Sequence, residues 1–267
     1  MTSPTQKFIN RDLSWLLFND RVADEAANGT VPLFERLRFL TIAAANLDEF
    51  ATVRIAGIID QIWEGDTRPG HDGMTPQDTL TNVLAGLREQ TQRLQELWRG
   101  LRSTLRSTAN VHVLSTDEIM SLSTEDQKVL HDSFMRDVFP ILTPIAIDPA
   151  HAFPFLPNRA MATLYLMRHK KTGKVLREIV PLPSFLPRLM PLPDKDGQKR
   201  FVLLEHAIRL NLPHLLPDMT IEDFTTFRLL RDADREHPVG IAVAPVPMAG
   251  LGEAINDRLR RAAGFVG

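Results

Sequence analysis

The sequence predicts an α+β protein in two parts. Residues 1–108 read as an all-helical domain, a bundle or hairpin, and residues 109–267 as a mixed helix-and-strand domain. Three observations carry this. The 267 residues, 43% hydrophobic and 24% charged, suffice for two ordinary cores. Apolar residues in the first part recur every three or four positions, the period of a helix face. After about Asn110 that period gives way to short runs separated by turn residues and prolines, as strands require.

The first helix carries Trp15, Phe18, Val22 and Ala26 at helical spacing and stops at Asn28-Gly29. The second starts near Pro32, a residue suited to a first turn, with Leu33, Leu37, Leu40 and Leu47 on one stripe. The loop "EGDTRPGHDGMTP" follows. Thr75 is then an N-cap, with Pro76 first and Asp78 third in the next helix. That helix repeats Leu80, Leu84, Leu87, Thr91, Leu94, Trp98, Leu101 and Leu105, a heptad seam short enough for an intramolecular hairpin. Beyond it, "VHVL" is a short extended segment, and Ser123 caps a helix that ends before Pro140. "PILTPIAIDPAHAFPFLPNRA" is ordered irregular backbone, because its prolines fix φ and remove donors. "MATLYLMRH" and "KVLREIVPLP" flank "KKTG" as a hairpin, "RFVLLEHAIRLNLPHLLP" runs from strand into helix, and "TTFRLLRDAD" alternates as a strand. The final "GLGEAINDRLRRAAG" reads as an amphipathic helix.

Composition excludes several functions. Lys+Arg number 31 against 33 Asp+Glu, a net charge of -2, which argues against a general nucleic-acid binder. Cysteine is absent, so no disulfide, thiol nucleophile or Cys-ligated zinc is possible. "MTSPTQKFINRDLSW" has no apolar run behind its basic residue, and no stretch is long and apolar enough for a membrane span. The expected location is cytoplasmic. No G-x-x-x-x-G-K-[ST], G-x-G-x-x-G or H-E-x-x-H occurs. Only His206 and His214 pair at all, loosely and across Pro213, a weak arrangement for a shared metal. Asp232 and Asp234 in "RDADRE" read as a solvated turn rather than a magnesium site.

The stretch "FINRDLSWLLFNDRVADEAANGTVPLFERLRFLTIAAANLDEFATVRIAG" closely resembles the N-terminal helical domain of the first type of polyphosphate kinase. "VFPILTPIAIDPAHAFPFLPN", "PLPSFLPRL", "FVLLEHAIR" and "FRLLRDADRE" are similar to successive landmarks of that family's head domain. "HPVGIAVAPVPMAGLG", after Glu236, follows the family poorly. The resemblance implies a parent enzyme that transfers the terminal phosphate of ATP to polyphosphate through a phosphohistidine with magnesium. It places the nucleophilic histidine, its partner histidine and the magnesium ligands in C-terminal domains beyond Gly267. This chain is then expected to hold the N-terminal domain and part of an incomplete head domain, without catalytic residues or metal ligands, and to be inactive alone. The resemblance also implies a homo-oligomer, and peripheral attachment to the membrane in a polyphosphate kinase complex as a second location. The alternatives are a non-catalytic dimerisation or interaction module derived from the family and, more weakly, an arginine-lined polyphosphate or nucleic-acid binder.

Two readings of Asn46 stand. It caps a new helix after a break, with Glu49 at the third position. Or, as the resemblance implies, it contacts ATP on the adenine side, where an amide offers both donor and acceptor. Arg54, Arg11, Arg21, Arg36 and Arg38 are expected to form ion pairs rather than hold phosphate.

Overall fold

The computed structural model describes residues 8–147, 154–231 and 238–243. The chain is α+β and divides into two compact units, one built mainly on residues up to Leu105 and the other mainly on Arg106–Arg231.

In the first unit, α1 (Arg11–Ala27) starts at Asn10, whose Oδ1 accepts from the backbone N–H of Asp12 and Leu13. Two of the four orphan donors of a helix start are thereby satisfied. The buried face is Asp12, Leu16, Asn19, Ala23 and Ala26, one position round from the expected stripe, and Phe18 is exposed. Leu16 packs over Gly86 of the last helix of this unit: a Cβ there would come 2.7 Å from Leu16 Cδ1, so a larger residue would make the end of the Leu16 side chain move aside. Arg36 donates from Nε to Ala26 O, satisfying a carbonyl at the end of α1.

Helix α2 (Leu33–Phe50) passes without a break into a π turn (Ala51–Ile55) and then α3 (Ala56–Trp63). Asn46 is therefore four residues inside a helix, and its capping reading is overturned. Helix α4 (Pro76–Ala109) opens as expected: Thr75 Oγ1 accepts from Asp78 N, and Thr75 N donates back to Asp78 Oδ2. Its seam holds at Leu94, Leu101 and Leu105, but nearer the N-terminus the buried positions are Val83 and Gln90, not Leu84 and Thr91. The core joins Leu16, Ala23, Ala26, Leu40, Ala43, Leu47, Phe50, Val83 and Leu94.

The second unit contains β1 (Val111–Val113), α5 (Thr116–Met120), α6 (Thr124–Asp137), β2 (Ile145–Ala146), β3 (Met161–His169), β4 (Val175–Pro181), β5 (Leu189–Lys195), β6 (Gln198–Leu203), α7 (Leu204–Leu215) and β7 (Met219–Arg231). Strand β8 (Pro238–Val243) completes a sheet of order β2-β4-β3-β7-β8, and a second sheet runs β1-β6-β5. The β3–β4 hairpin closes through Gly173 at φ 69°. The β5–β6 hairpin, absent from the sequence reading, turns on Asp196-Gly197, both at positive φ. Its prolines, Pro191 and Pro193, are tolerated because β5 is an edge strand. Ser123 caps α6, accepting from Asp126 N. The core here is Leu130, Phe134, Tyr165, Met167, Val202, Leu204, Ile208 and Leu212. The expected C-terminal helix, and Asp232 and Asp234, lie outside the described residues.

Candidate functional site

Asn46 projects from α2 toward α1, half-buried, and donates from Nδ2 to Asn19 Oδ1 at 3.0 Å. Asn19, 1% exposed, donates in turn to Ala43 O and Gln90 Oε1, each at 3.1 Å. Gln90 Nε2 donates to Leu16 O at 2.5 Å. Three helices are thus joined by an amide ladder within an apolar core. Both ends of the buried Asn19 and Gln90 amides have partners, the condition under which buried amides are tolerated. The ladder fixes which end of the Asn46 amide points inward. Its nitrogen is engaged by Asn19, which leaves Oδ1 as the acceptor available to another molecule.

Asn19 and Gln90 had no role in the sequence reading. No local signal points to them, because the apolar period puts the buried stripe one position away, on Phe18 and Thr91.

A second polar site lies where α1 begins. Asn10 Nδ2 donates to Asp72 Oδ2 at 2.6 Å and to Thr79 Oγ1 at 3.3 Å, while Asp72 Oδ1 accepts from Met74 N at 3.0 Å. Arg54 grips Asp12 through two bonds of 2.8 and 3.1 Å. The carboxylate also stands in the first turn of α1, where the helix dipole favours negative charge. Arg54 itself lies in the π turn, where the helix departs from the α register just before α3. These groups, with Gln61, Asp66 and Arg68, line a cavity of about 530 Å³. Asn46 does not line it. The conspicuous "NRD" of the sequence is thus a cap and an ion pair around one exposed arginine. Arg54 forms the ion pair expected of it, and Arg38 lies 3.7 Å from Glu35 on the surface.

In the second unit, His112 Nε2 is 2.9 Å from Glu118 Oε1, which also accepts from Arg106 at 3.0 Å. Glu118 Oε2 takes the backbone N–H and hydroxyl of Ser115. Burial pushes the Glu118 carboxyl up, but the Ser115 and His112 hydrogen bonds outweigh it and hold it at about 2. Its oxygens are occupied by structural bonds. Asp126 and Arg200 form a buried bidentate pair at 3.0 and 2.8 Å nearby.

Residues 8–114 match the family model described as polyphosphate kinase N-terminal domain, and residues 125–238 the one described as polyphosphate kinase middle domain. A third match, residues 222–264, is to the C-terminal domain of threonylcarbamoyl-AMP synthase. The segment that departs from the polyphosphate kinase pattern lies inside this third match. Among similar proteins, a polyphosphate kinase of Erythrobacter litoralis is 41% identical over 235 residues, 88% of this chain and 32% of that protein. One from Synechocystis is 34% identical over 262 residues, 95% of this chain and 35% of that protein. The crystal structure of polyphosphate kinase from Porphyromonas gingivalis superposes with a TM-score of 0.79 at 24% identity, over 99% of this chain and 38% of that one, which is a likeness of fold. The chain spans about a third of the length of the relatives it matches.

Proposed function

The chain belongs to the polyphosphate kinase family, and from that premise we propose that it is the N-terminal and middle portion of an enzyme that transfers the terminal phosphate of ATP to polyphosphate through a phosphohistidine. In this reading the first domain covers residues 1–108 and the head domain begins at 109. Asn46 contacts ATP on the adenine side, and the head domain takes part in a homo-oligomer. The observation that carries the Asn46 role is the orientation of its amide. Its Nδ2 is held by Asn19, and Oδ1, which takes no part in the ladder, can accept from the exocyclic amine of adenine. In this reading the magnesium ligands belong to the catalytic domains expected beyond this portion of the enzyme. No helix of the described residues is long and apolar enough to cross a membrane.

The test is kinetic, in a full-length polyphosphate kinase carrying this segment. Asn46→Ala is expected to raise the KM for ATP about two- to twelvefold, the worth of one neutral hydrogen bond, with kcat nearly unchanged. A contact remote from the transferred phosphate contributes equally to ground and transition states. The preference for ATP over GTP should also narrow, because guanine presents a carbonyl where adenine presents an amine. If Asn46 only completes the ladder, the variant loses melting temperature while its ATP dependence and its ATP-over-GTP ratio stay at parental values. That outcome refutes the ligand role.

Alone, the 267-residue chain is expected to make no polyphosphate from ATP and magnesium. Nucleophilic catalysis needs an activated group with its base. In the His112–Glu118 contact the carboxylate is already committed to Ser115 and Arg106. Synthesis by highly purified chain, abolished by replacing a single histidine, would overturn this.

A further inference from the structure

The sequence offered His206 and His214 as the one loose histidine pair. The fold instead brings His214, in the last turn of α7, against His131 of α6, with ring centroids 4.9 Å apart and ring planes inclined at 58°. His131 is half-buried and His214 is exposed.

The tautomer of His131 is set from behind. Asn211, 3% exposed, donates from Nδ2 to Ala207 O at 2.8 Å, so its Oδ1 is the end that faces His131 Nδ1, at 2.6 Å. A carboxamide oxygen can only accept, so Nδ1 carries the proton. In the neutral ring Nε2 then carries the lone pair. A ring nitrogen donating to a buried oxygen while the other stays free is the arrangement that orients histidine as a metal ligand and raises its basicity.

The spacing fits one shared ion. With a metal–nitrogen bond of about 2.0–2.1 Å and about 1.1 Å from nitrogen to ring centre, each centroid stands about 3.2 Å from the metal. Two such centroids are about 4.5 Å apart at a right angle and about 5.2 Å apart at the tetrahedral angle. The observed 4.9 Å lies between these limits. The rings are not stacked parallel, which would keep their in-plane lone pairs apart; at 58° both can be turned toward one ion.

We propose that His131 and His214 form a two-histidine site for a borderline divalent transition metal such as Zn²⁺, bridging α6 to α7, with water completing the coordination shell. Imidazole nitrogens suit zinc, copper and nickel, and not magnesium or calcium, which prefer oxygen. The site is thus distinct from the magnesium chemistry expected of the family, and its test needs no catalytic activity.

The whole chain is titrated with Zn²⁺ by calorimetry, and its melting temperature is read with and without the metal. One Zn²⁺ per chain is expected, with a rise in melting temperature, because a ligand that binds only the folded form stabilises it by mass action. His131→Gln and His214→Gln should each weaken binding at least about tenfold and abolish the thermal shift. His71→Gln, at an exposed histidine of the other unit, should leave both unchanged. His214 is exposed, so its variant folds and decides the matter even if His131→Gln does not. Absence of saturable uptake, less than tenfold loss in the His214 variant, or loss on His71→Gln overturns the site.

Discussion

Arg200→Met is expected to cost about 3 kcal/mol of the stability of the second unit, the lower end of the range for removing one partner of a buried ion pair. The side chains of Arg200 on β6 and Asp126 on α6 are each only 10% exposed, and both terminal guanidinium nitrogens reach the carboxylate. Without Arg200 a buried charge remains. The third position of α6 softens the loss, since the helix start still favours a carboxylate. Asp126→Asn in the same chain removes the stranded charge, and the double variant should recover most of the stability. Denaturant midpoints of the two single variants and the double one decide it. A loss below about 1 kcal/mol for Arg200→Met would mean that the pair behaves as a solvent-screened surface bridge. Acid supplies the sign. The Arg200 hydrogen bonds, opposed by burial but aided by the Ser123 bond and the charges of Arg200 and Lys195, leave the Asp126 carboxyl below its ordinary value. A depressed folded value gives stability that is present above the ordinary carboxylate range and lost as pH falls through the lowered one. The difference between parent and Arg200→Met should therefore shrink in strong acid.

Asn19→Ala should destabilise the helical unit by about 2–4 kcal/mol, because it strands Gln90 Oε1 in the core and leaves a gap. Asn46 is less affected, since its half-buried amide can turn to water. Asn19→Leu fills the gap but still strands Gln90. Asn19→Leu with Gln90→Leu removes both polar ends, and it should lose much less than the two single changes added together. Denaturation of the four proteins measures this coupling. If the double variant loses the full sum, the ladder is not a coupled unit.

These two networks mark the limit of what the sequence made legible. The helices and strands were readable because their signals are local: Thr75 and Ser123 as caps, the "KKTG" turn, the change of period after Asn110. The faces of α1 and α4 were misread by one position because apolar residues such as Phe18 and Leu84 look outward while Asn19 and Gln90 look in. Periodicity presumes that the core is apolar, and here polar side chains buried against one another break that premise. Asp126 with Arg200, and His131 with Asn211, join residues 74 and 80 apart. No short-range pattern announces such a pair. The β5–β6 hairpin was hidden by its prolines, which only the knowledge that β5 is an edge would have excused. Asn46 was picked out by resemblance, and the ladder behind it became visible only in three dimensions.

Strand β1 has a consequence for how the chain is made. Strand β1 is three residues long, and its partner in the parallel pairing, starting with Val111 opposite Lys199, arrives 88 residues later. A growing chain emerges at roughly 5–20 residues per second, so about 4–18 s separate the appearance of β1 from that of β6. During that interval the backbone groups of "VHV" have no ladder to join. Non-local pairing of this kind is the slow part of folding, because loop closure comes before any contact rewards it. The core residues Leu16, Leu47, Val83 and Leu94 of the helical unit all lie within α1, α2 and α4, which are made before β6. Translation itself therefore sets an order, with the helices closing first and β1 waiting at the ribosome for the strand that will hold it.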